Sequence, residues 1–362
     1  MLLKKLKLNK IASTVALAAL ATTAQAGYTV KLTDKDTITF GGYVKADMRT
    51  VDGDINSITD NYWVGLATRN DISRTKLSVN ESRFNTKYVH GDITGFIELD
   101  FYDAGGSPGG AAGNEIVSNS YGPRLRHAFI KYQNVLVGQT WTTFMNTSAL
   151  AEAADFGGPL VAAAFIRQGQ VRYTNGGLQL ALENPESDKG DNTQDSMPDL
   201  VAKYTFKGDW GNVSVAGLAR QLNTVGGESE NALGFGVAGR LKVGEKNDFR
   251  FQVHGGETGR YVGVVAARDL VGEKVEETQS YSVAYRHFWS DTVRSNFFYG
   301  NTTTDVADTD RTHWGVNVFN NLTPKLAVGF EIGNYEQSGK GDKAANLHGD
   351  SNYFQLSAKY AF

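Results

Sequence analysis

The sequence closes on Asn352-Tyr353-Phe354-Gln355-Leu356-Ser357-Ala358-Lys359-Tyr360-Ala361-Phe362, and this stretch decides the fold. Phe354, Leu356, Ala358, Tyr360 and Phe362 fall on one face, and Tyr353, Gln355, Ser357, Lys359 and Ala361 on the other. Side chains of a strand alternate between its faces, so period two with one apolar, aromatic-rich face describes a strand set between two different surroundings. No stretch after residue 26 shows helical periodicity over a useful length.

Upstream the same alternation recurs. Phe249, Phe251 and Val253 alternate with Arg250 and Gln252; Tyr281, Val283 and Tyr285 oppose Ser282, Ala284 and Arg286. Leu178, Leu180 and Leu182 face away from Gln179 and Glu183, Ala202, Tyr204 and Phe206 away from Lys203, and Ile97, Leu99 and Phe101 away from Glu98 and Asp100. Short turns are expected at His90-Gly91-Asp92, Gln133-Asn134, Asn175-Gly176-Gly177, Lys207 to Gly211, Gly244 to Asn247, Ser290-Asp291-Thr292 and Asn321 to Pro324. Long polar loops fall between them, near residues 50 to 72, 103 to 123, 142 to 168, 184 to 197, 222 to 230, 257 to 277, 303 to 310 and 337 to 350. Short turns on one rim and long loops on the other mark a bacterial membrane barrel. The expected fold is therefore all-β, a transmembrane antiparallel β-barrel of about 16 strands, each roughly nine to thirteen residues long as a tilted membrane strand requires. Its surroundings are outer-membrane lipid. The terminal Phe362 resembles the signal read by the barrel assembly machinery, an expected partner.

The N-terminus agrees with this location. Lys4, Lys5, Lys7 and Lys10 precede an apolar run from Ile11 to Ala21, and Ala24-Gln25-Ala26 has the small-x-small form of a cleavage site. Residues 1–26 read as a secretory signal, too short to span a bilayer as a helix, and residues 27–362 as one barrel domain. The precursor carries 36 Lys+Arg against 39 Asp+Glu; without the four leader lysines the balance is 32 against 39, a formal charge of −7. Mild acidity argues against nucleic acid as a partner. Zero cysteines in an exported chain exclude disulfides, thiolate catalysis and Cys-based metal sites, and no cofactor is expected. Hydrophobic content of 41% and mean hydropathy of −0.34 would suit a soluble protein. A barrel needs apolar residues only on alternate positions, so composition misleads while pattern does not.

Charge phase identifies the water-filled side, because Arg on the lipid face near the midplane costs roughly 2–4 kcal/mol. The expected lumen contains Lys45, Arg83, Arg124, Arg126, Arg172, Lys203, Arg220, Arg240, Arg250, Arg286 and Arg294 against a smaller set of Asp47, Glu98, Asp100, Glu183 and Glu331. A basic interior in an acidic chain biases a pore toward anions. The alternative, that these arginines pair with lumenal carboxylates and stiffen the wall, stays open for each one. The long loops carry much of the negative charge, as at Asp52, Asp54, Glu186, Asp188, Glu228 and Asp308, and read as a solvated outer surface rather than a calcium site.

The third long loop differs in kind. Ala149 to Ala154, Phe156-Gly157-Gly158-Pro159 and Leu160 to Ile166 are too apolar for a water-exposed loop. Folding into the lumen and narrowing it is the expected outcome, with Met145, Asn146, Glu152, Asp155, Phe156 and Arg167 at the constriction. An outward loop buried between subunits is the alternative.

Six motifs then resemble one family: Gly42-Tyr43-Val44-Lys45-Ala46-Asp47, Ser82-Arg83-Phe84, Gly95-Phe96-Ile97-Glu98-Leu99-Asp100-Phe101, Leu125-Arg126-His127-Ala128-Phe129, Val137-Gly138-Gln139-Thr140-Trp141-Thr142 and Arg167-Gln168-Gly169-Gln170-Val171-Arg172-Tyr173. Glu183-Asn184-Pro185-Glu186 continues the series. Together they resemble the DcaP-like trimeric porins from about residue 37 to 186, with only barrel pattern beyond. The resemblance implies a homotrimer of sixteen-stranded pores, an Arg-bearing lumen, and passage of dicarboxylates and similar small anions. Some members carry a coiled coil before the barrel, and here only about ten residues separate Gly27 from the first expected strand.

Other classes fit less well. An outer-membrane enzyme needs a nucleophile and base near the outer rim, whereas His90, His127, His254, His287, His313 and His348 are scattered singly. An adhesin or receptor barrel would be closed by its third loop. Within the porins, a sugar-preferring channel would use an aromatic slide, for which Phe40, Tyr43 and Phe298 are the candidates, and a non-selective general porin needs no ring of one sign.

Overall fold

The computed structural model describes residues 27–56, 67–103, 122–264 and 266–362. The expected leader and its expected cleavage site, residues 57–66 of the first long loop, residues 104–121 of the second, and residue 265 lie outside the described residues. The main sheet contains eighteen strand segments, which make a closed barrel of sixteen wall strands. These are β1 (Asp36–Ile55), β2 (Ala67–Ser78 continued by Arg83–His90), β3 (Ile93–Asp103), β4 (Gly122–Tyr132), β5 (Val135–Trp141) and β6 (Arg167–Asn175). Next come β7 (Leu178–Glu183), β8 (Asp199–Gly208), β9 (Gly211–Asn223), β10 (Ser229–Val243) and β11 (Asn247–Gly256). The wall ends with β12 (Thr278–Phe288), β13 (Val293–Thr304), β14 (Asp310–Asn321), β15 (Leu326–Gln337) and β16 (Gly349–Ala361). All seven short turns stand where the sequence placed them.

Every neighbouring pair is antiparallel, and the barrel closes where β16 pairs with β1 from Gly53↔Ser351 to Tyr43↔Ala361. The N-terminal segment Tyr28–Lys31 pairs with Thr37–Phe40, occupying the edge that β16 leaves free. Closure removes the open edges that a bilayer would not tolerate. Phe362 finishes β16 against Phe84, ring centroids 5.7 Å apart, and its amide donates to Gly42 O at 3.2 Å.

The alternation of the sequence is the alternation of the wall. Leu178, Leu180, Leu182, Tyr204, Phe206, Val253 and Tyr281 are exposed on the outer face, while Arg250, Gln252, Ser282 and Arg286 are buried inside. Two irregularities add lumenal side chains. Between the halves of β2, four residues, Val79 to Ser82, stand opposite the three residues Val44 to Ala46, and this bulge buries Glu81. A second register shift, opposite Glu98 and Leu99, buries both Arg126 and His127. Phe40 departs from expectation: it shares the outward phase of Val44 and lies exposed on the lipid face, so it cannot line a slide. Phe298 does face inward but is fully buried, packed beneath the third loop.

That loop, residues 142–166, folds into the lumen. Its outgoing limb carries a short 3-10 turn, Thr147–Ala149, and its return limb another, Leu160–Ala162. Leu150, Phe156, Leu160, Val161 and Phe165 join Val51, Tyr102, Tyr261 and Tyr335 in one hydrophobic cluster. An apolar loop removes its surface from water by lying on the wall, and this is the structural reason for its composition. Small wall residues receive it: a Cβ on Gly300 of β13 would come within 2.6 Å of Pro159 and 3.1 Å of Ala162.

Candidate pore constriction

The third loop docks through its carboxylates. Glu152 accepts from Arg294 at 2.8 Å and from Arg286 at 3.0 Å, linking the loop to β13 and β12. Asp155 accepts from Arg49 of β1 at 2.6 Å. The amides of Ala154 and Asp155 donate to Glu331 of β15, and Lys45 donates to Ala154 O at 2.8 Å. Arg250 of β11 donates to Leu150 O, and Asn146 bonds Ser214 Oγ and Ala238 O, each at 3.0 Å. The loop thus lies along the wall from β9 through β16 to β1. Burial acts to raise the Glu152 carboxyl, and the bonds and charges of Arg294 and Arg286 override it and hold it below its ordinary value. Burial pushes the Asp155 carboxyl up to about 7, against the pull of Arg49 and with the added repulsion of Glu331.

The remaining wall faces the inner side of the loop with cations. Arg83, Arg124 and Arg126 surround the Phe156 ring, their guanidinium carbons 5.2, 6.0 and 5.6 Å from its centroid. Arg83 also lies 5.2 Å from the Tyr43 ring, and Arg167 lies 4.4 Å from Trp141 and 5.9 Å from Phe165. An aromatic face holds a cation through the ring quadrupole without cancelling its charge; of the three around Phe156, Arg124 and Arg126 also meet carboxylates. Below this row a cavity is lined by Tyr43, Lys45, Glu81, Arg83, Arg126, Trp141, Glu152, Asp155, Phe156, Arg294 and Lys359.

All eleven wall cations expected in the lumen face it, but its acidic complement is larger than the sequence suggested. Glu81, Asp199 and Asp248 join the wall set, and Asp269 reaches in from a loop. Arg124 and Arg126 pair with Asp100 at 2.7 and 2.8 Å, and Arg126 also with Glu98 at 2.8 Å. Arg220 pairs with Asp199 and Asp269, Arg240, Arg250 and Arg286 with Asp248, Lys45 with Glu81 and Asp47, and Arg294 with Glu152. Pairing, the alternative that the sequence left open, is therefore the rule for these cations, with three exceptions. Among the described residues Arg83, Arg172 and Lys203 form no ion pair. Nε of Arg83 and of Arg172 has no hydrogen-bond partner, Arg172 reaches Trp141 O at 3.4 Å, and Lys203 donates to Met145 O at 2.7 Å.

The constriction residues are placed as follows. Met145, Asn146, Glu152 and Asp155 are buried on the wall as anchors rather than projecting into an eyelet; only Phe156 presents its side chain to the cation row. Sequence reading missed Arg49 and Glu81. Arg49 shares the inward phase of Lys45 and Asp47, so alternation within β1 identifies it. Glu81 sits in a bulge, where alternation fails. His127, His254 and His313 are buried and bond Thr140, Ser280 and Tyr353, each a wall contact.

A closed barrel with an inward third loop and a charged lumen is a porin-type channel. The chain belongs to the DcaP outer membrane protein family, whose profile matches residues 6–362. It is similar to the outer membrane channel DcaP of Acinetobacter baumannii, with TM-score 0.73 and 20% identity over 93% of this chain and 100% of that one. An anion-selective porin from Comamonas acidovorans gives TM-score 0.57 at 11% identity, covering 91% and 100%. The trimer form of OmpT, an outer membrane protein of Vibrio cholerae, gives 0.55 at 16%, covering 91% and 100%. No match appears among the curated proteins. The protein is thus an outer-membrane channel for small solutes of a Gram-negative bacterium.

Proposed function

We propose that this channel favours small anions, dicarboxylates among them, and works as a homotrimer. The observation that carries the reading is the set of wall cations with no carboxylate of their own, Arg83 over Phe156 and Tyr43 and the pair Arg172 and Lys203. A solute carboxylate meets a guanidinium that is already oriented and has bonds to give. The anion selectivity named for the Comamonas porin and the trimer named for the Vibrio protein support the same picture. The Arg–carboxylate pairs elsewhere in the lumen favour a second reading, a non-selective general porin, because a paired wall has little net field. The mature chain begins near Gly27, and Phe362 serves as the mark for barrel assembly.

Reversal potentials across planar bilayers in a potassium chloride gradient separate the two readings. Anion preference is expected, weakened by Arg83→Glu and by Arg172→Glu with Lys203→Glu. Cation preference in the wild type would overturn the proposal, and zero selectivity would leave the general porin.

A further inference from the structure

A second loop enters the lumen. The sixth long connection, residues 257–277, sends its inner limb onto the return limb of the third loop. Val262 forms an antiparallel bridge with Ala164, flanked by Gly263 N to Ala163 O at 3.0 Å and Phe165 N to Tyr261 O at 3.2 Å. Tyr261 is fully buried at the root of the third loop, where its hydroxyl donates to Asp199 at 2.9 Å and accepts from Gln168 at 2.6 Å. Glu183, 3.3 Å from that hydroxyl, accepts from Thr142 and Thr143 at the other root.

The limb is pinned from behind. Asp269 accepts from both terminal nitrogens of Arg220, at 2.6 and 2.8 Å, and from the amides of Arg260 and Asp188. Gly259 is at φ +46, and a Cβ there would come within 1.9 Å of Asp269 Oδ1. Only glycine lets the carboxylate sit that close to the turn.

Resting on the channel reading above, we propose that residues 259–263 are a strap that sets the size limit of the pore. Asp269 and Tyr261 are its positioning residues: they touch no solute, and hold the return limb of the third loop in place. The carboxylate anchors fix the outgoing limb; the strap fixes the other. Losing it frees residues 160–166 to move and widens the passage.

The test uses full-length channel in planar bilayers with neutral polymers of graded size. Asp269→Ala is expected to raise conductance, add substates and shift the exclusion limit to larger polymers. Tyr261→Phe, which keeps the ring, is expected to do the same more weakly. The rescue is Ala164→Cys with Val262→Cys in the Asp269→Ala background. These residues form a non-hydrogen-bonded pair, whose close side chains suit a disulfide, and the chain has no other cysteine. Oxidation should restore the wild-type limit and reduction should lose it again. A merely structural role for Asp269 predicts lower thermal stability with an unchanged limit, and that result would overturn the strap. So would a folded Tyr261→Phe channel with the wild-type limit, which decides the matter if Asp269→Ala does not assemble. Absence of conductance in the wild type would instead remove the channel reading itself.

Discussion

Glu152 and Asp155 have opposite acid–base behaviour three residues apart. Glu152 faces two guanidinium groups and is held below its ordinary value, so its contribution to docking is present above that value and lost as pH falls through the depressed one. Asp155 is raised from 3.8 to about 7, so its contribution is present below 3.8 and is lost as pH rises through about 7. Between those limits, Asp155→Asn should flatten the pH dependence of barrel stability, measured by thermal unfolding in detergent; an unchanged slope would assign it elsewhere. Glu152→Ala leaves Arg286 and Arg294 without their loop partner and should cost on the order of 3–5 kcal/mol in urea unfolding from lipid vesicles, as for a broken buried pair. Both acids are conspicuous in the sequence because they interrupt an Ala-rich run. Their role as anchors was not legible, since it depends on Arg49, Arg286 and Arg294, which stand on three strands distant in the chain.

Among the elements, the third loop was legible and the sixth was not. Leu160 to Phe165 is apolar enough that only burial accounts for it, whereas Gly259-Arg260-Tyr261 reads as an ordinary polar connection. Its inward course depends on a carboxylate ten residues away from Gly259 and an arginine on β9. The shelf beneath the third loop is equally specific. Gly300→Val puts branched carbon where Pro159 and Ala162 now lie, and should push the return limb off the wall toward the pore axis, lowering conductance with little loss of folded barrel. Folded protein with wild-type conductance would show that the loop does not rest on that glycine. Turns needed no such context: Asn175-Gly176-Gly177 and Gly244 to Asn247 declare themselves by residue type.

Over the whole molecule, phase governs what each wall position tolerates. Val171 and Arg172 are adjacent in β6 and face opposite solvents. Val171→Arg should therefore destabilise the barrel by about 2–4 kcal/mol in vesicles, while Arg172→Val alters selectivity instead. Equal effects of the two would refute the assigned phase. The same alternation made the barrel, its strand number and its lumen readable from sequence. The balance of charge inside was not, because Glu81 stands in a bulge and Asp199 and Asp248 stand at strand ends. The row of guanidinium groups around Phe156 has a further consequence, one of kinetics. An arginine bound to a wall carboxylate must break an ion pair before it can grip a passing anion, and must then be recaptured. On the anion reading proposed above, Arg83, resting on rings, can grip a solute without breaking a pair, whereas Arg126 must first release Glu98 and Asp100, so Phe156 governs how quickly a solute is captured more than how tightly it is held.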